Sequence, residues 1–371
     1  MKGNHLRLAP YLSPLLLTWA CGASGGKEAG GGGEPLIRTF TLENDSGGRV
    51  KITNFGASVM SILVPDRRGR LGEVELGYDR AGQYPAGNPY FGAIVGRYAN
   101  RIARGRFELE GKPYQLARNN GPNHLHGGPR GFHDRVWDAR PDAGGRRLEL
   151  ALSSPHGEEG YPGDLRVKVV YSWSDDYELR IDYEAQCEGT TVVNLTHHSF
   201  FNLEDGGAGN ILDHRLRIAA EAFTPVDEDL IPTGEIRPVA GTPFDFRESK
   251  PIGRDIGEEN RQLARGGGYD HNFILKRSGP GLVLAATVQA PRSGRRMEVY
   301  TTEPGLQFYS GNFLDGSDRG HEGQAYGHRS AFCLEAQHYP DSPNRPTFPS
   351  TVLRPGQTYT QTTVYRFSVR K

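Results

Sequence analysis

Apolar and polar residues alternate with a period of two along much of the chain, which predicts β-strands. In "DLRVKVVYSW", Leu165, Val167 and Val169 alternate with Arg166 and Lys168. The stretch "YELRIDYEA" shows the same alternation, and "SDD" between the two predicts a hairpin. A two-residue period is typical of half-buried antiparallel strands.

Further strand-like stretches lie along the rest of the chain, separated by clusters of Gly, Pro and Asp. They are "ASVMSILVP", "RRLELALSS", "HRLRIAA", "LVLAATVQ", "RRMEVYTT" and "TYTQTTVYRFSV". Helical periodicity is nearly absent, and no βαβ alternation is present. The pattern therefore predicts an all-β fold, a large antiparallel β-sandwich whose loops and concave sheet face hold the function. No linker, repeat or like-charge block follows Leu36, so we expect one domain over 36–371.

Charge and composition narrow the classes of partner. The 371 residues contain 44 Lys+Arg and 44 Asp+Glu, so the formal net charge is zero. A neutral chain has no long-range field to attract nucleic acid or an anionic membrane, and a small neutral partner fits better. The 50 Gly and 25 Pro are in keeping with many turns and few long helices.

The N-terminal segment has the layout of a secretory signal. Lys2 and Arg7 precede a short apolar stretch that ends at Ala20 and Cys21. This layout resembles a bacterial lipoprotein signal, although Thr18 stands where that pattern usually has leucine. We expect a signal peptide over 1–21, a flexible Gly-rich linker over 22–35, and export to the periplasm or to a membrane anchored through lipidated Cys21. The alternative is a misassigned start and a cytoplasmic protein.

The remaining cysteines, Cys187 and Cys333, allow at most one disulfide, and we expect two free thiols.

Two adjacent histidines stand inside the apolar and aromatic run "VNLTHHSFFNL". If the run is a strand, Asn194, Thr196 and His198 point to one face while His197 points to the other. Only one histidine can then face a given site. This geometry argues against a metal shared by the two rings and favours a proton-handling role for one of them.

A carboxylate lies in a second strand-like run, "FCLEAQHYPDSPN", where Glu335 follows three apolar residues. Burial of a carboxylate raises its pKa, which would make Glu335 a usable general base near neutral pH. His198 would then be its partner as general acid. The alternative, a buried salt bridge between Glu335 and an arginine, is equally compatible with the residues.

Three other stretches combine polar groups with glycine or aromatic residues. In "GRYANRI", Asn100 and Arg101 could donate to ligand hydroxyls or form a solvated strand end. In "NHLHGG", His126 stands beside glycines that let backbone approach a ligand, although turn histidines without a role are as common. In "GYDHNF", Asp270 could contact a ligand or bond its own backbone.

Taken together, these stretches carry a family resemblance. The stretches "GRYANRIARGRFELEGKPYQLARNNGPNHLHGG", "HGEEGYPGDL", "VNLTHHSFFNL", "PFDFR", "GYDHNF", "TTEPGLQFYSGNF" and "LEAQHYPDSPN" follow the order and approximate spacing of the aldose 1-epimerases, also called galactose mutarotases. The resemblance runs from about Leu36 to the C-terminus. It implies a large β-sandwich and the interconversion of α and β anomers of free aldohexoses such as glucose and galactose, without metal or organic cofactor.

The resemblance also implies roles for individual residues. The general acid falls on His198 and the general base on Glu335. The positions that match sugar-contacting residues are Asn100, Arg101, His126, Asp270 and Gln307. Two residues depart from the family pattern: His197 stands where asparagine is usual, and Phe200 where tyrosine is usual. Because the acid must be charged and the base ionised, we expect oppositely charged neighbours to shift each pKa accordingly.

Three rival functions stay open at the level of sequence. A glycoside hydrolase would need two carboxylates that flank a glycosidic bond, and Glu335 is the one strong candidate. A non-catalytic carbohydrate-binding module would need no acid and base. An epimerase for a phosphorylated hexose would need extra cations at the pocket mouth, for which Arg97 and Arg104 are candidates.

Overall fold

The computed structural model of the protein describes residues 36–87 and 89–370. The expected signal peptide and linker lie outside the described residues. In the first half of the chain the strands are β1 (Thr39–Glu43), β2 (Arg49–Thr53), β3 (Val59–Pro65), β4 (Leu71–Glu73), β5 (Ala93–Val95), β6 (Arg101–Ile102), β7 (Arg106–Leu109), β8 (Lys112–Gln115), β9 (His124–Leu125), β10 (Asp138–Pro141), β11 (Arg147–Ser154), β12 (Leu165–Trp173) and β13 (Glu178–Cys187).

Strands continue to the C-terminus. They are β14 (Thr191–Val192), β15 (Thr196–His198), β16 (Arg215–Ile218), β17 (Ala220–Thr224), β18 (Arg237–Pro238), β19 (Lys250–Pro251), β20 (Asp270–Leu275), β21 (Val283–Gln289), β22 (Arg295–Thr301), β23 (Gly305–Tyr309), β24 (Cys333–Gln337), β25 (Val352–Leu353) and β26 (Thr358–Val369).

Over residues 36–87 and 89–370, helical structure is confined to short segments. The α-helix α1 spans Arg261–Gly266, and 3₁₀ turns span Ala81–Ala86, Ala103–Gly105, Phe132–Asp134, Glu158–Gly160, His321–Gly323 and Ser342–Asn344. Within the part of the chain that the structure describes, no helix has the length and apolar character needed to cross a membrane.

The largest sheet has nine strands in the order β10-β11-β12-β13-β26-β22-β21-β16-β19. Its strands pair antiparallel, and β12 meets β13 across the predicted hairpin, from Leu165 opposite Cys187 to Trp173 opposite Leu179. The strand-like stretches predicted over 146–154, 282–289 and 358–369 form β11, β21 and β26 of this sheet. The alternating pattern thus places one face of each strand in the core, and the antiparallel prediction is confirmed.

A five-stranded sheet in the order β18-β17-β20-β23-β24 lies on the other side of the core. One apolar cluster contains buried residues of both sheets, such as Val169 and Val299 of the larger sheet and Phe308 of the smaller one. The hydroxyl of Tyr365 in β26 donates to the Leu334 carbonyl of β24 at 3.3 Å, which ties the sheets directly. The fold is therefore the predicted β-sandwich.

The five-stranded sheet has one apolar and one polar face. Gln307 of β23 pairs with Glu335 of β24, and Asp270 of β20 pairs with Tyr309 of β23. Because side chains alternate along a strand, these polar residues share one face and the intervening apolar residues enter the core. Strand pairing thus gathers three of the predicted site residues from distant parts of the sequence.

The run "VNLTHHSFFNL" is a strand only over Thr196–His198, where β15 pairs with β5. Beyond this point the chain leaves β5, and Phe201 makes single bridges to Glu75 and Phe332 instead. The predicted alternation holds where the strand exists. The His197 ring lies 5.9 Å from Tyr171 and 5.8 Å from Tyr365 of the nine-stranded sheet, whereas His198 faces the polar side of β24.

Candidate active site

The predicted site residues converge on a cavity of about 140 Å³ above the polar face of the five-stranded sheet. It is lined by Pro89, Tyr90, Asn100, Arg101, Leu125, His126, His198, Phe200, Asp270, Tyr309, Phe313 and Glu335. A larger open cleft of about 580 Å³ lies around Arg67 and Arg292 and contains none of the predicted site residues. The smaller cavity is the candidate site because the titratable groups meet there.

His198 and Glu335 lie side by side in the cavity. Nε2 of His198 lies 3.6 Å from Oε2 of Glu335. The two residues are 6% and 2% exposed. Oε2 of Glu335 has no hydrogen-bond partner among the described residues, so it can accept a proton from a bound hydroxyl. No arginine in the described chain forms an ion pair with Glu335, which disfavours the structural salt bridge.

Burial shifts the pKa values of the two residues in opposite directions, because it disfavours the charged form of each. It raises the pKa of Glu335 well above its usual value, and the nearby carboxylate of Asp270 raises it further. It also lowers the pKa of His198 to about 4. Both shifts favour the uncharged forms, so the resting pair holds one proton, and that proton is on Glu335.

The expectation that neighbouring charges favour both charged forms is wrong for His198. The nearby His133 lowers its pKa further, because two positive rings repel each other. For Glu335 only Arg101 acts in the expected direction, and burial outweighs it. Burial and His133 thus both disfavour the charged ring, and a backbone hydrogen bond of His198 opposes them.

A short ladder positions the residues on the opposite wall. Arg101 at the start of β6 pairs with Leu125 of β9, so Asn100 and His126 flank the ladder on neighbouring strands. Both have left-handed φ angles, 61° for Asn100 and 50° for His126. The backbone N–H of His126 donates to the Asn100 carbonyl at 3.0 Å, and Nε of Arg101 donates to Oδ1 of Asn120 at 3.0 Å. These contacts fix the wall before any ligand binds.

A metal ion is the first alternative use of this cluster. One ligand atom each from His126, His198 and Glu335 lies within 4.8 Å of the others. However, the backbone N–H of Asn100 donates to Nδ1 of His126 at 3.2 Å, so the neutral ring carries its proton on Nε2. Metal-bound histidines instead donate their second ring N–H outward. His126 therefore presents a donor to the cavity, and the three residues fit hydrogen bonding better than metal ligation.

Asp270 reaches the cavity from the first position of β20. Nε2 of Gln307 donates to its Oδ1 at 2.7 Å. Gln307 is not among the residues that line the cavity, so within the described chain its amide acts by orienting Asp270. Burial raises the pKa of Asp270, while Arg101 and the Gln307 amide oppose this shift.

Sequence reasoning missed four aromatic residues of the cavity wall: Tyr90, Phe200 as a contact of His198, Tyr309 and Phe313. Tyr309 stacks on Phe313 at 5.9 Å, and its hydroxyl accepts the backbone N–H of Phe313 at 2.8 Å. Phe313 is 63% exposed at the mouth. The motif "GLQFYSGNF" contains two of these rings, but an aromatic residue in a sequence does not reveal whether it faces the core or a cavity.

The two arginines invoked for a phosphorylated substrate do not line the cavity. Arg97 is buried, and its guanidinium donates to the Pro162 and Gly163 carbonyls at 2.8 and 2.7 Å and to Ser154. Arg104 is exposed on a neighbouring turn. Among the lining residues of the described chain, Arg101 is the one arginine or lysine. The structure thus removes the argument for a phosphohexose pocket.

The fold and the cavity define a β-sandwich enzyme with a buried histidine–carboxylate pair. The sequence profile of the family described as aldose 1-epimerase matches residues 38–366. The galactose mutarotase of Sus scrofa is 49% identical over 337 residues, which cover 91% of this chain and 96% of the relative. The aldose 1-epimerase of Escherichia coli is 40% identical over 339 residues, covering 90% and 96%.

A solved structure, the aldose epimerase homologue from C. elegans, superimposes with a TM-score of 0.84 at 30% identity and covers 91% of this chain and all of that chain. The chain therefore belongs to the aldose 1-epimerase family of carbohydrate isomerases. The family and the fold expected from the sequence are confirmed.

Proposed function

We propose that this protein interconverts the α and β anomers of free aldohexoses such as glucose and galactose, with Glu335 as general base and His198 as general acid. The observation that supports this most is the 3.6 Å approach of Nε2 of His198 to Oε2 of Glu335 in a small cavity. A cyclic hemiacetal carries its hydroxyl oxygen and its ring oxygen on the same carbon, C1, so two proton-transfer groups at this spacing can reach both oxygens.

The reaction proceeds from the form of the pair in which the single proton has moved to His198 and Glu335 is ionised. Glu335 takes the proton of the C1 hydroxyl while His198 gives its proton to the ring oxygen, and the ring opens to an aldehyde. The proton is then on Glu335, and His198 is neutral, which is the arrangement that burial favours in the protein. Rotation about C1–C2 presents the other carbonyl face, and the reverse transfers close the ring as the opposite anomer.

The remaining polar groups would hold the sugar during the reaction. Arg101 and the Nε2–H of His126 donate to sugar oxygens, and Asp270 accepts from sugar hydroxyls while Gln307 keeps it in place. Asn100 stands beside them in the left-handed turn. Holding several oxygens keeps the open chain in position for reclosure. We assign no metal or organic cofactor to this chemistry.

Anomer-resolved proton NMR tests the proposed function. Pure α-glucose, α-galactose, glucose 6-phosphate and a methyl glucoside are each followed with the purified protein. We expect faster anomer exchange for the free sugars and no hydrolysis of the glucoside. Asp270 and Glu335 both line the cavity, so release of methanol from the glucoside would favour a glycoside hydrolase. Binding of sugar without faster exchange would favour a carbohydrate-binding module.

We also propose that residues 1–21 are a lipoprotein signal and that Cys21 is lipidated after export. The charged start, the short apolar run and the glycine-rich stretch behind Cys21 support this. Mass spectrometry of the native N-terminus tests it. A diacylated Cys21 would establish the anchor, whereas an intact Met1 or an unmodified Cys21 would reject it without affecting the proposed reaction.

A further inference from the structure

Two aromatic rings lie nearly parallel to the imidazole of His198. The centroid of Phe200 lies 5.0 Å away with an interplanar angle of 22°, and that of Tyr90 lies 5.7 Å away at 26°. The Tyr90 ring also touches two further histidines, His126 at 4.7 Å and His133 at 4.6 Å. The His126 ring of the opposite wall also meets the His198 ring directly, edge to face at 5.1 Å, and Tyr90 packs against both rings.

The backbone holds Tyr90 in this place. Tyr90 has a left-handed φ of 71°, which is uncommon for a bulky residue. Its carbonyl accepts the backbone N–H of Ala93 at 3.1 Å, and the N–H of Gly92 donates to the His198 carbonyl at 3.0 Å. Ala93 is also the residue that pairs with His198 between β5 and β15. The turn is thus bonded to the backbone of the residue over which its ring lies.

These contacts bear on the charged form of His198. The face of an aromatic ring carries partial negative charge and attracts a cation within about 6 Å of the centroid. The edge of the imidazole is engaged elsewhere: Nε2 faces Glu335, and Nδ1 lies 3.7 Å from Sγ of Cys333. Stacked rings can therefore stabilise the imidazolium without blocking either nitrogen.

We propose that Tyr90 is a positioning residue that stabilises the protonated ring of His198 through its aromatic face, with Phe200 as a second ring in the same role. The inference rests on the proposed function, because the imidazolium is the acid of that reaction. The rings would add to the attraction of the ionised Glu335, whose Oε2 lies 3.6 Å from Nε2 of His198, and would oppose His133, which disfavours the charged ring. The effect belongs to the proton transfer, so it should change kcat rather than KM.

A series of substitutions at one position tests this. Tyr90→Phe keeps the ring and removes the hydroxyl, whereas Tyr90→Leu removes the ring and keeps the Cβ that strains the backbone. Incorporation of pentafluorophenylalanine at position 90 keeps the ring shape and reverses the charge on its face. Initial rates of anomer exchange on α-glucose give kcat and KM, and circular dichroism reports folding.

We expect Tyr90→Phe to retain kcat, and Tyr90→Leu and the fluorinated variant to lose about 3- to 30-fold in kcat, with KM within roughly twofold of the wild type. If Tyr90→Leu does not fold, the fluorinated variant decides alone. Equal kcat for the Phe and pentafluorophenylalanine variants would overturn the inference. Wild-type protein without anomer exchange would instead reject the proposed function, so the two failures are distinguishable.

Discussion

At the scale of the residue, His197 and His198 show how one step along a strand changes the role of a side chain. Burial lowers the pKa of both, to about 3 for His197 and about 4 for His198. Neither ring nitrogen of His197 has a hydrogen-bond partner among the described residues, whereas the nitrogens of His198 face Glu335 and Cys333. The position of each ring relative to β15, rather than its burial, decides which one can transfer protons.

Arg101 tests the contribution of a single side chain to sugar binding. Arg101→Ala removes a charge-assisted hydrogen bond, which typically contributes about 1.5–3 kcal/mol. We therefore expect kcat/KM for glucose to fall roughly 10- to 100-fold. Arg104→Ala is the matched control, because Arg104 follows closely in sequence but is exposed and does not line the cavity. Equal kcat/KM for the two variants would show that Arg101 has no part in sugar binding.

The sequence identified the titratable residues of the site but not their surroundings. A carboxylate and a histidine inside apolar runs are unusual enough to be noticed, and both line the cavity. Aromatic residues are common in cores, so nothing local distinguishes Tyr90 or Phe313 from a core residue. The sequence also did not reveal that the pKa of His198 lies below that of Glu335. This order depends on how much protein surrounds each group, which follows only from the fold.

At the scale of the element, the site depends on very short strands held by long-range pairing. β15 has three residues and pairs with β5, about 100 positions earlier in the chain. A two-residue period predicts that a stretch is a strand and which side chains share a face, and those predictions hold for β12, β13 and β24. It says nothing about the partner strand, so the approach of Tyr90 to His198 could not be predicted.

Gly92 is the point at which this pairing can be tested. It has a φ of +61°, and a Cβ there would lie 1.9 Å from the Val59 carbonyl oxygen. Gly92→Ala should lower the free energy of unfolding by roughly 2–5 kcal/mol through left-handed strain and the clash. It should also lower kcat, because the N–H of Gly92 is bonded to His198.

The control for this prediction is Gly69→Ala. Gly69 also has a positive φ, +77°, but nothing lies within 4 Å of a Cβ there. We expect Gly69→Ala to lower the free energy of unfolding by about 1–2 kcal/mol and to leave kcat unchanged. Urea unfolding and anomer-exchange rates measure both effects. Similar behaviour of the two variants would contradict a role for the β5 turn in placing His198.

At the scale of the whole molecule, burial favours the neutral form of several histidines. Burial lowers the pKa of His124, His126, His133, His197, His198, His214 and His271. Each such group binds a proton more readily in the unfolded chain, so stability is lost as the pH falls below about 6.5. Carboxyl groups with raised pKa values, such as Glu75, act in the opposite direction.

His197 isolates one part of this pH dependence, because burial is the largest cause of its lowered pKa and its ring does not line the cavity. Its pKa is about 3 in the folded protein. Protonation of His197 in the unfolded chain should therefore lower the free energy of unfolding of the wild type by about 2 kcal/mol between pH 6.5 and pH 5. His197→Leu should remove that loss. Between pH 7 and pH 5, the free energy of unfolding should therefore fall by this amount less in the variant than in the wild type. The exposed His328→Leu is the control: burial lowers the pKa of His328 as well, so this variant should gain on the wild type in the same direction but by less than His197→Leu. Parallel curves for His197→Leu would show that His197 is not held neutral.

The central claim is that Glu335 and His198 carry the proton transfers. General acid–base groups typically contribute about 10²–10⁴-fold each, and the two protons move in one ring opening. Loss of either group should therefore remove most of the acceleration while sugar binding largely survives. A variant that lacks both should be little worse than either single variant.

Polarimetry on freshly dissolved α-glucose with Glu335→Gln, His198→Asn and the double variant tests this most directly. We predict that each single variant loses roughly 10²-fold or more in the rate above the spontaneous reaction. We also predict that the wild-type pH–rate profile is bell-shaped, with apparent values that belong to the coupled pair. Near wild-type turnover in a correctly folded Glu335→Gln protein would contradict the account and make Glu335 a structural residue.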